Sequence, residues 1–118
     1  MKLDVKELIN KLVNNNPLEW KYAPLDVIGT TPIDISGLNF SEICVHVDVN
    51  QGGNRFEFVL PKNVIQTNGW YRQGGYHNGS NDYALIIINV TNTRVLLVGA
   101  YLNGGTYTSN TRVQVYYR

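Results

Sequence analysis

Three side chains near the middle of the chain have the chemistry to hold a cation or move a proton: His46, Asp48 and Glu57. His46 and Asp48 fall in the run Glu42–Val49, where Ile43, Val45, Val47 and Val49 alternate with Glu42, Cys44, His46 and Asp48. Such alternation is what a strand with one buried and one wet face requires, so His46 and Asp48 share the wet side. If Val49 and Phe56 face one core, a four-residue loop Gln51–Asn54 closes a hairpin and sets Asp48 opposite Glu57. An imidazole with two carboxylates can ligate a metal, and two adjacent carboxylates can divide acid and base roles. The same spacing describes a plain solvated face whose carboxylates are relieved by Arg55 or Lys62. That simpler account sets the expectation of no catalytic residue, no metal and no cofactor.

A second cluster suits recognition better than reaction. Trp70, Tyr71, Arg72, Gln73, Tyr76, His77 and Asn78 crowd aromatic rings and neutral hydrogen-bonding groups around Gly74 and Gly75. Rings stack on sugar faces, and Arg, Gln, His and Asn reach hydroxyls. The expectation is a ligand-binding loop and strand on a turn that the two glycines leave free of bulk. The competing account makes Trp70 and Tyr76 core or rim anchors. The two glycines have no phosphate-loop spacing, no Lys-Ser/Thr and no following helical pattern, so nucleotide binding is not supported. Cys44 is the single cysteine, which forbids an intrachain disulfide. Its place in the alternating run makes it a packing thiol, without a nucleophile motif around it.

These residues need elements to hold them, and the chain supplies two kinds. Over 1–16, Val5, Leu8, Ile9, Leu12 and Val13 recur at three- and four-residue spacing and form one apolar stripe on a helix. Asp4 and Glu7 suit its start, and Asn14, Asn15, Asn16 and Pro17 stop it. A helix of this length does not hold alone in water, since isolated helices under about 12–15 residues are marginal. Its stripe must dock on its own domain or pair with copies of itself. Over 17–118 the pattern is a β-sandwich. Strands are expected near 20–23, 26–28, 31–36, 42–49, 55–60, 70–75, 84–91, 94–101 and 111–117, separated by turns such as Ser36-Gly37, Gly52-Gly53 and Asn103-Gly104. Many short strands with frequent turns specify an all-β antiparallel sandwich of jelly-roll or Greek-key type.

Composition narrows the partners. The 118 residues carry 10 basic and 9 acidic side chains, a net charge of +1, which gives no footprint for nucleic acid or an anionic membrane. Charged residues are 16%, well under the usual quarter, and Asn, Gly, Thr, Ser and 8 Tyr supply the polarity instead. No run approaches the roughly 18–20 apolar residues of a membrane span. Met1-Lys2-Leu3-Asp4 lacks the apolar core of a signal peptide, so synthesis in a cytoplasm is expected, with lysis or assembly into a particle as the route outside.

Read together, Trp20, Gly29-Thr30-Thr31-Pro32-Ile33, Leu38 to Val45, Gly75-Tyr76, Ile86 to Val90 and Val113 to Arg118 resemble the small sandwich domains of tail-fibre and appendage proteins from phages of Gram-positive gut bacteria. The resemblance implies a non-enzymatic virion structural protein, a head that contacts other virion proteins and a host-surface glycan. Such heads are commonly homotrimers on a helical or fibrous stem. A bacterial carbohydrate-binding module is the alternative, with Trp70, Tyr71 and Tyr76 as its platform.

Closed symmetry lets three copies bury what one short helix cannot. Sedimentation equilibrium at micromolar concentration should therefore return a homotrimer, with a dimer as second choice. A monomer would leave Val5, Leu8, Ile9, Leu12 and Val13 docked within their own chain.

Overall fold

A computed structural model describes residues 20–76 and 83–118, so the expected helix over 1–16 lies outside the described residues, as do His77 and Asn78. The chain forms β1 (Lys21–Ile28), β2 (Ile33–Asp34), β3 (Glu42–Val49), β4 (Asn54–Pro61), one helical turn α1 (Lys62–Ile65), β5 (Trp70–Tyr76), β6 (Tyr83–Val90), β7 (Arg94–Leu102), β8 (Gly105–Thr106) and β9 (Arg112–Tyr117). One sheet has four strands in the order β1-β9-β3-β4. The other has five, in the order β2-β7-β6-β5 with β8 beside β7. Every pairing is antiparallel. The domain is thus all-β, two packed antiparallel sheets.

The alternating run explains the packing. Ile43, Val45, Val47 and Val49 of β3 are completely buried, joined from β4 by Phe58 and Leu60 and from β9 by Val113 and Val115. Across the interface stand Ile86, Ile88 and Val90 of β6 with Val95, Leu97 and Ala100 of β7. Fully burying one such side chain is worth about 1.5–3 kcal/mol, so this layer is the main source of stability.

Several details depart from the sequence expectations. The first two expected strands join as β1, with a register shift between Tyr22 and Asp26 around Pro24. Proline has no N–H to donate, and an edge strand is where that is tolerated. Only Ile33 and Asp34 of the expected 31–36 strand pair with β7. Helix α1 and strand β8 have too few residues to show a period.

The hairpin register is corrected by two residues. Val47 faces Phe56, Asp48 faces Arg55 and His46 faces Glu57; Asp48 does not face Glu57, and the loop is 50–53. Asn50 and Gln51 both take left-handed φ values, 56° and 53°, so the chain turns one residue earlier than Gly52-Gly53 suggests. Side chains across the loop hold that conformation: Gln51 Nε2 donates to Asn110 Oδ1 at 2.9 Å, and Asn110 Nδ2 donates to Asn50 Oδ1 at 2.8 Å. The observed register also places opposite charges across the strands, where like charges would repel. A two-residue slip keeps every side chain on its face, which is why the core pattern survives it.

Thr111 locks this corner. It is fully buried; its Oγ1 accepts from the Asn50 N–H at 3.2 Å and donates to the Tyr107 carbonyl at 2.8 Å. Thr111→Val keeps the shape but removes the acceptor of the Asn50 N–H and one of the two donors to the Tyr107 carbonyl, which keeps the Asn110 N–H. It should lower unfolding free energy by about 1–3 kcal/mol in urea titrations at constant m, while Thr111→Ser stays close to wild type.

Candidate functional site

The two outer faces of the sandwich differ in chemistry. On the four-stranded sheet, charges pair off across strands: Arg112 with Asp26, Arg118 with Glu42, and Arg55 with Asp48 at 3.8 Å. The Arg118 guanidinium also lies over the Trp20 ring, 3.9 Å from its centroid. Asp48 accepts a further bond from the Gly53 N–H at 2.9 Å, so the hairpin claims this carboxylate. The three residues singled out as possible ligands therefore do not converge as a set. His46 Nε2 instead lies 3.3 Å from Glu57 Oε1, and its ring sits 4.7 Å from that of Tyr116. Cys44 completes a different trio: ligand atoms of Cys44, His46 and Glu57 all fall within 4.8 Å of one another. A hollow of about 170 Å³ opens beside them, lined by His46, Asp48, Arg55, Arg112, Gln114 and Tyr116.

On the five-stranded sheet the outer face is largely apolar. Trp70 is 57% exposed, Tyr83 40% and Val98 38%. The β5–β6 register sets Trp70, Arg72 and Gly74 opposite Asn89, Ile87 and Leu85, and Tyr101 follows opposite Leu85 on β7. A bulge in β7 near Val98 interrupts the pairing between Ile87 and Ile88, and Val98 projects outward. The Tyr101 ring rests against Gly99, where a Cβ would come within 2.7 Å of it.

Strand alternation divides the recognition cluster read from the sequence. Trp70 and Arg72 face outward; Trp70 is no core anchor. Tyr71 points inward against the core, and its hydroxyl donates to the Asn68 carbonyl. Partial burial raises its phenol pKa. Gln73 reaches the other sheet, where Nε2 donates to the Glu57 carbonyl at 3.2 Å. Gly74 and Gly75 lie within β5 rather than in a turn, paired with Leu85 and Ala84. Gly74 admits close backbone approach, since a Cβ there would meet the Ala84 carbonyl oxygen at 2.7 Å. The Tyr76 side chain, His77 and Asn78 lie outside what the structure describes. Tyr83, Val98 and Tyr101, which share this outer face with Trp70, were not singled out in the sequence. The only sequence signal for them was the position of each within an alternating run.

Cys44 is 2% exposed, and its thiol is pushed up to about 11, first by burial and then by the Glu57 carboxylate. Slow reaction with alkylating and disulfide reagents follows in the metal-free chain, because the thiolate is the form that attacks them. A maleimide or disulfide reagent at pH 8 should label the native protein on the order of 100-fold more slowly than the urea-unfolded chain. Equal rates would show an accessible, ionised sulfur.

Comparison with known proteins returns no matching family model, no matching curated protein and no matching solved structure.

Proposed function

We propose that this chain is a binding head: a non-enzymatic virion structural domain of a phage-type appendage, whose five-stranded sheet meets a neutral glycan on the host surface. The observation that carries the reading is the exposed aromatic and apolar face built from Trp70, Tyr83, Val98 and Tyr101 around Arg72. A strand surface with exposed rings and a guanidinium suits stacking on a sugar ring with hydrogen bonds to its hydroxyls. Several large apolar side chains left exposed on one face mark it as a candidate interaction surface. The strand order supports a rolled sandwich, since β1 lies beside the last strand and β2 beside β7. The stripe of Val5, Leu8, Ile9, Leu12 and Val13 is then the oligomerisation element, and other virion proteins are the neighbours of the assembled head. A monomeric carbohydrate-binding module would use the same face but has no use for the stripe.

A glycan array with wild type, Trp70→Ala and Arg72→Ala tests this. Each variant should weaken binding about tenfold or more, which corresponds to about 1.4 kcal/mol. Both positions are exposed, so the thermal midpoint should stay nearly unchanged. Tyr71→Ala, by contrast, should lower the midpoint because its ring packs inward. Binding should vary little with salt, unlike that of a phosphate-reading surface. Equal binding by all three proteins, or none by the wild type, would leave this face without a glycan role.

A further inference from the structure

We propose that Cys44, His46 and Glu57 form a three-ligand site for a zinc-type divalent cation on the outer face of the four-stranded sheet. The trio follows from strand geometry. Cys44 and His46 are two residues apart on β3 and so point the same way, and Glu57 is the direct cross-strand partner of His46 on β4. Strand β3 is hydrogen-bonded on both sides, to β4 and to β9, so two of the ligands stand on an interior strand.

Distances and ligand types agree with that ion. His46 Nε2 and Glu57 Oε1 are 3.3 Å apart. Two ligand atoms each about 2.0–2.1 Å from a tetrahedral centre are separated by about 3.3–3.4 Å. The sulfur lies within 4.8 Å of both, so a modest side-chain rotation closes the third edge. One thiolate, one imidazole and one carboxylate favour a borderline cation over calcium or magnesium, which select oxygen alone.

Burial grades across the trio. Cys44 is at the floor, the His46 side chain is 31% exposed and that of Glu57 62%. A fourth position would therefore face solvent beside the hollow lined by Gln114 and Tyr116. Three protein ligands with an open fourth position is the arrangement of exchangeable rather than closed structural zinc sites.

The charges also balance. Cys44 enters as a thiol. On binding, the sulfur–hydrogen bond is replaced by a sulfur–metal bond and one proton leaves to solvent. The thiolate and the carboxylate then neutralise the two positive charges of the ion, and nothing is oxidised or reduced.

Titration of the full, reduced chain with Co²⁺ as a spectroscopic substitute tests the proposal. Cys44 is the only cysteine, so a thiolate-to-cobalt charge-transfer band can come from no other sulfur in the chain. The expected result is such a band, saturating at one ion per chain, with visible bands of a four-coordinate ion and displacement of both by Zn²⁺. Cys44→Ala should abolish the charge-transfer band. Because a buried substitution can impair folding, Glu57→Gln and His46→Gln provide the second arm at more exposed positions. Each should weaken Co²⁺ binding at least about tenfold while circular dichroism stays that of the wild type. A wild type without the charge-transfer band would overturn the proposal and leave His46 and Glu57 as a polar cross-strand contact. So would Co²⁺ binding of undiminished strength in Glu57→Gln and His46→Gln.

Discussion

Strand β3 is the constraint on which the rest of the domain depends. Its inner row, Ile43, Val45, Val47 and Val49, is completely buried, and its backbone is hydrogen-bonded to β4 on one side and β9 on the other. Because side chains alternate strictly, fixing that inner row also fixes which residues must stand outside: Glu42, Cys44, His46 and Asp48. The four-stranded sheet therefore inherits its outer chemistry from its core. A change of register by one residue would bring His46 and Asp48 into the apolar layer, at several kcal/mol for each unpaired charge. The observed slip relative to the expected pairing is two residues, the smallest that leaves the core intact.

The two outer faces manage exposure differently. The charged face pairs Asp26 with Arg112, Asp48 with Arg55 and Glu42 with Arg118, so no large field projects from it. Partly exposed pairs of this kind add little stability, about 0–1 kcal/mol each. Among the described residues the opposite face carries Arg72 and Arg94 beside Trp70, Ile87 and Val98. Leaving Trp70 more than half exposed gives up burial energy that an inward ring would supply. A surface held at that cost is the natural place to look for a partner.

Between these faces, Thr111 and the Asn50–Asn110 contacts tie the β3–β4 hairpin to the segment entering β9. That tie joins the middle of the chain to its end. It also explains how Gln51 holds a left-handed backbone angle beside Asn50, a residue type that adopts that region more readily.

Much of this architecture was legible in the residues. Alternation located β3, β4 and β9, and apolar runs between turn signals located β6 and β7, all to within a residue or two; the inward row of β3 was read correctly in full. The outward placement of Cys44, His46 and Asp48 followed from the same period. The recognition cluster was legible only in part: alternation inside β5 sends Tyr71 and Gln73 inward, away from Trp70 and Arg72. Helix α1 and strand β8 were missed because a single turn and a two-residue bridge carry no period.

The sequence by itself therefore determined the fold class, the approximate strands and the side on which each side chain lies, since these follow from local period and turn chemistry. Tertiary structure alone decided which strand lies beside which, and so which outward residues meet. Trp70 shares its face with Tyr83 and Tyr101 because β5 pairs with β6 and β6 with β7. Cys44 and His46 meet Glu57, and Asp48 meets Arg55, because long-range contacts from Asn110 and Thr111 set the turn. Period is a property of a few neighbouring residues, whereas pairing and register depend on groups some sixty positions apart, which no local pattern encodes.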